Sequence, residues 1–96
     1  MIIKYAKLAV IENELSLTEQ LAKVKEEITE LEKEFSNIEI SREKIVEEAI
    51  DVMQAAFTLL QKLDVKEADF DKHIRKLEKY KKEGRSQCAK SAKESV

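Results

Sequence analysis

Residues 45–63, IVEEAIDVMQAAFTLLQKL, constrain this chain more than any other stretch. Twelve of these nineteen residues are apolar, and they cover well over half the circumference of a helix. That predicts a helix buried from more than one side. Glu48 and Asp51 sit inside it, one turn apart. On a helical wheel Glu48 shares a stripe with Val52, Ala55 and Leu59, while Asp51 lies just beyond the edge of the apolar arc. A carboxylate turned towards a core is costly unless a cation or hydrogen bonds answer it.

The rest of the chain is patterned to pack against this helix. Ser16 followed by Glu19 is a capping box, the signature of a helix start. Leu17, Leu21, Val24, Ile28, Leu31 and Phe35 then recur at alternating spacings of four and three, a seam too short for an independent coiled coil. Residues 35–40 break the pattern, and Ser41 can cap the central helix, which runs to about Leu63. Asp64 or Asp69 can cap a third helix carrying Phe70, Ile74, Leu77 and Tyr80, with lysines at its end and Gly84 as its stop. Residues 1–15 are expected to form a short helix or an apolar arm over the bundle, and residues 86–96 a disordered tail. The expected architecture is all-α, an antiparallel bundle of three to four helices in one domain spanning residues 1–85.

Composition narrows the function classes. The chain has no proline and one glycine, and 40% of its residues are charged, which suits helices. Twenty acidic residues against 18 basic ones leave a net charge of −2, so no field favours nucleic acid or an anionic membrane. The apolar run from Leu8 to Ile11 is too short for a signal-peptide core or a membrane span. The single cysteine, Cys88, has no internal disulfide partner, and a cytoplasmic location is expected. His73 is the one histidine and has no companion at zinc-ligand spacing, so it reads as a surface residue. No Gly-rich loop is present to cradle phosphate. Met53, Phe57 and Phe70 read as core.

The acidic residues carry the chemical signal. Glu27 and Glu30 on the first long helix, and Glu48 and Asp51 on the central one, each have i, i+3 spacing and share a helical face. A short connection near residues 36–41 turns the second helix back antiparallel, so four carboxylates can converge between the two. Their mutual repulsion calls for a cation. Oxygen-only ligands at this density suit a hard ion, Mg²⁺ or Mn²⁺. The competing reading of Glu27 and Glu30 is a solvated face, and that of Glu48 and Asp51 a salt bridge to lysine.

The strings LAKVKEEITELEKEF and EKIVEEAIDVMQAAFTLLQKL resemble the MazG-like all-α nucleoside triphosphate pyrophosphohydrolases, a group related to dimeric dUTPases and phosphoribosyl-ATP pyrophosphohydrolase. The resemblance runs from about Leu17 to Arg85 and rests on EExxE, here Glu26-Glu27-x-x-Glu30, followed by ExxD, here Glu48-x-x-Asp51. It implies Mg²⁺ held by Glu27, Glu30, Glu48 and Asp51, with Glu26 orienting water or serving a second metal. It also implies a homodimer or homotetramer and hydrolysis of a nucleoside triphosphate to the monophosphate and pyrophosphate. Many relatives carry Lys-x-x-x-Asn with a following Arg on the third helix. Here Lys76 keeps its place, but Tyr80 stands where the Asn falls and Glu83 where the Arg falls, with Arg85 two residues on. Lys76, Lys79, Arg85 and Lys23 are therefore the expected phosphate-binding residues. A non-enzymatic helical interaction module and a degenerate, nucleotide-binding relative are the alternatives.

Overall fold

A computed structural model of the chain describes residues 6–84. It contains α1 (Leu17–Phe35), α2 (Arg42–Lys62) and α3 (Glu67–Lys82), and no strand among the described residues. The all-helical expectation holds. The described residues divide into two compact units, one up to Asp64 and one from Val65 onward. Arg85, Cys88 and the expected tail lie outside the described residues.

In the first unit, α1 starts as its capping box dictates. The Glu19 N–H donates to Ser16 Oγ at 3.1 Å, and the Ser16 N–H donates to Glu19 Oε1 at 2.9 Å. α2 starts at Ser41, whose hydroxyl oxygen accepts from the Lys44 N–H at 3.3 Å. Antiparallel packing follows from the cross-helix partners: Gln20 meets Ala55, whereas Glu27 meets Glu48 and Asp51.

The seam through which α1 meets α2 differs from the apolar heptad. Its least exposed residues are Gln20, Val24, Glu27, Leu31 and Glu34, sharing only Val24 and Leu31 with the expected set. Leu17, Leu21, Ile28 and Phe35 remain exposed. At 3.6 residues per turn, α1 is thus rolled by roughly 60° from the face that hydrophobicity alone selects. The roll has a polar cause. Gln20, 2% exposed, donates from Nε2 to the Ala55 carbonyl at 3.0 Å, a bond that the apolar face offers no group to make.

α2 is also less enclosed than its composition predicts. Ala55 and Thr58 are buried, but Val46, Ile50, Met53 and Leu60, on the opposite side of the helix, stay exposed. Burial from more than one side is therefore not achieved among the described residues of this single chain. The Met53 and Phe70 assignments to the core fail likewise: the side chains are 47% and 44% exposed.

Of the two forms expected for the N-terminal segment, residues 6–15 adopt the arm. Gln54 clamps it: Gln54 Oε1 accepts from the Ala9 N–H at 2.7 Å while Nε2 donates to the Ala9 carbonyl at 2.8 Å. Lys62 Nζ donates to the carbonyls of Asn13 and Leu15 at 3.1 and 2.9 Å. A side chain satisfying an arm's main-chain groups replaces the ladder that a strand would need.

The second unit holds α3. Of the two aspartates expected to cap it, neither occupies the N-cap position. Asp64 ends the preceding turn in left-handed backbone (φ 56°), a region aspartate tolerates better than most side chains. The N-cap is Lys66, and Asp69, three residues on, reaches back to accept the Lys66 N–H at 2.9 Å. Gly84 (φ 76°) follows the helix end as expected, its N–H donating to the Lys81 carbonyl at 3.1 Å.

Candidate metal centre

Two antiparallel helices position the acids. Glu27 projects from the α2-facing stripe of α1, one heptad beyond Gln20. On α2, Glu48, Asp51, Ala55 and Thr58 follow one another at helical spacings of three, four and three, on the side turned towards α1. One carboxylate oxygen each from Glu27, Glu48 and Asp51 lies within 4.8 Å of the others. Glu27 is largely covered (side chain 17% exposed), Glu48 is half-buried and Asp51 is exposed. The cluster therefore has a shielded floor and an open mouth.

Its electrostatics are those of an anionic site. The Glu48 carboxyl is pushed above its ordinary range, first by partial desolvation and then by the negative charges of Asp51, Glu27, Glu30 and Glu47. One cation stands beside it. Lys23 Nζ lies 3.2 Å from Glu27 Oε1 and 3.7 Å from Glu26 Oε2, and its pKa is raised, chiefly by the hydrogen bond to Glu27. This is a surface ammonium on a flexible stem, which a bound cation can displace towards solvent.

The donor set fits a hard divalent ion. Octahedral Mg²⁺ with ~2.1 Å bonds places neighbouring oxygens about 3 Å apart and opposite ones about 4.2 Å apart. Small side-chain rotations bring three oxygens within 4.8 Å to those spacings. The same ion ordinarily leaves remaining positions to water or substrate phosphate, as the open side at Asp51 permits.

The other sequence-predicted residues divide. Glu30 does not join the three-oxygen cluster; its carboxylate pairs with Lys33 at 3.2 Å, although its charge is felt at Glu48. The i, i+3 partner Lys33 competes for it on the exposed side of α1. Glu26 is 62% exposed and flanks the cluster through Lys23. Lys76 and Lys79 lie on α3 in the second unit, with Lys76 Nζ 5.7 Å from the centroid of the Tyr80 ring. Four polar residues that line the same cavity as Glu27 and Asp51 are not marked by the sequence: Asn13, Gln20, Gln54 and Thr58. The available signal was Gln20 on the Glu27 stripe and Gln54 one turn after Asp51, both legible only once the α1 roll is known. No protein-family model, curated protein or solved structure matches this chain.

Proposed function

We propose that the chain is a divalent-metal-dependent hydrolase that splits a nucleoside triphosphate into the monophosphate and pyrophosphate. The observation that carries this reading is the convergence of Glu27, Glu48 and Asp51 between two antiparallel helices. The EExxE and ExxD spacings, and the resemblance to MazG-like pyrophosphohydrolases that they support, point the same way. Mg²⁺ or Mn²⁺ bound there would neutralise phosphate charge and lower the pKa of a coordinated water. In the proposed reaction water attacks the α-phosphorus and the bond from that phosphorus to the bridging oxygen breaks, releasing pyrophosphate. Glu26, solvent-facing beside the cluster, accepts the proton lost by water. Lys23 supplies positive charge at the mouth, and Glu30 joins as a fourth ligand by releasing Lys33.

Self-association belongs to this reading. The exposed apolar residues of α1 (Leu17, Leu21, Ile28, Phe35) and of α2 (Val46, Ile50, Met53, Leu60) recur at heptad-like spacings, the pattern that a helix partner buries. A homodimer or homotetramer covers them. These same stripes favour the second reading, a helical interaction module whose acids only solubilise it.

Metal response separates the two. Millimolar Mg²⁺ raises the melting temperature of the hydrolase, and Asp51→Asn abolishes that rise. Pyrophosphate release from a panel of nucleotides then disappears in Glu48→Gln. A melting temperature indifferent to Mg²⁺ and Mn²⁺ rejects the enzyme in favour of the module.

A further inference from the structure

The sequence shows no edge with which to read a base, whereas the folded first unit brings two carboxamides, Asn13 and Gln20, together. The arm, α1 and α2 line an open cavity of about 360 Å³, within the size range of small-molecule sites. Its lining changes character along its length. Lys23, Glu27 and Asp51 belong to it, so it opens onto the carboxylate cluster. Seven residues back along α1, a distance of about 10 Å, stands Gln20. There it is joined by Asn13 from the arm, whose Nδ2 donates to Gln20 Oε1 at 3.3 Å. Ile11, Leu15 and Ala55 provide apolar surface in the same cavity.

The carboxamides retain hydrogen-bonding capacity. A carboxamide has two N–H donors and accepts twice. Asn13 spends one donor on Gln20 and accepts once from the Leu15 N–H. Gln20 spends one donor on the Ala55 carbonyl and accepts once from Asn13. Each keeps one donor and one acceptor by count, but those of Gln20, 2% exposed, are closed off, whereas those of the exposed Asn13 are open to a ligand. A paired donor and acceptor beside apolar surface matches the edge and face of a planar heterocycle, the pairing by which Asn and Gln engage nucleobases.

We propose that this cavity is the nucleobase subsite of the carboxylate centre, with the base edge read by Asn13, which the buried Gln20 positions, and the 5′-phosphates lying towards Glu27 and Asp51. This inference rests on the hydrolase reading and adds to it the device that selects the base. The arm is thereby a specificity element, because Asn13 reaches the cavity from outside the helices.

The test compares α,β-imido analogues of the four common deoxynucleoside triphosphates, which resist hydrolysis, with inorganic tripolyphosphate, all in Mg²⁺. Binding is measured by calorimetry and by NMR of the side-chain amides. At least one analogue is expected to bind roughly tenfold tighter than tripolyphosphate, a gain of about 1.4 kcal/mol, and to shift the amide signals of Asn13 and Gln20. Asn13→Ala removes that advantage and leaves tripolyphosphate affinity unchanged. Tripolyphosphate binding as tightly as every analogue, or amide signals that stay still, overturns the subsite while the metal–phosphate reading survives. If neither tripolyphosphate nor any analogue binds, both readings fall.

Discussion

The side-chain amide of Gln20 donates to the main-chain carbonyl of Ala55 at 3.0 Å. Seven residues forward on α1 stands Glu27, and seven back on α2 stands Glu48. Seven residues are close to two helical turns, so the buried hydrogen bond and the carboxylate meeting lie on the same pair of stripes. The bond thus sets both the roll and the register that bring the acids together.

Gln20→Leu keeps the volume and removes the amide, leaving Asn13 Nδ2 without its acceptor. Urea denaturation should show a loss of about 1–2 kcal/mol. The Mg²⁺-induced rise in melting temperature should shrink as the register loosens. Wild-type stability and an unchanged metal response would remove Gln20 from this role.

The raised pKa of Glu48 has a definite sign. The folded protein holds this proton more tightly than the unfolded chain, so its contribution is stabilising below the unfolded pKa of about 4.3. That contribution is lost as pH rises through the folded value, where the carboxylate becomes charged among like charges. In chelator, Glu48→Gln should therefore melt above the wild type near pH 7, and this advantage should fade towards about pH 4. Thermal melts across that range check it; a variant less stable than wild type at neutral pH contradicts the crowding.

At the start of α1 the sign is opposite. Hydrogen bonds from the Ser16 backbone and side chain hold the Glu19 carboxyl below its ordinary range. Its stabilisation is present above the unfolded pKa and is lost as pH falls through the lowered one. Glu19→Gln should flatten the acid limb of the stability curve. Ser16→Ala should cost about 1 kcal/mol at neutral pH, the usual loss for an N-cap.

Gln54→Ala deletes both hydrogen bonds that hold Ala9. Hydrogen exchange at the Ala9 amide should accelerate by roughly tenfold or more, in line with net hydrogen-bond energies near 1 kcal/mol. Limited proteolysis should then cut within residues 6–15, with α1 and α2 intact by circular dichroism. Unchanged protection at Ala9 would show that the lysine contacts further along suffice.

Local chemistry made the helices legible from sequence alone. Ser16 and Ser41 mark two starts and Gly84 follows the last end, because caps act within one turn and need no tertiary partner. The i, i+3 spacing likewise placed Glu48 and Asp51 on one face. Tertiary structure decided the rest. The apolar seam of α1 predicts its contact face, yet a cross-helix amide bond rolls the helix and draws Glu27 inward while Leu21 and Ile28 stay exposed. Whether Glu30 faces the cluster or Lys33, and whether an arm brings Asn13 beside Gln20, depends on groups more than one turn apart along the chain. Periodicity records which side chains share a stripe. It does not record how far the stripe is turned towards its neighbour, because that angle is set by the partner's hydrogen-bonding groups.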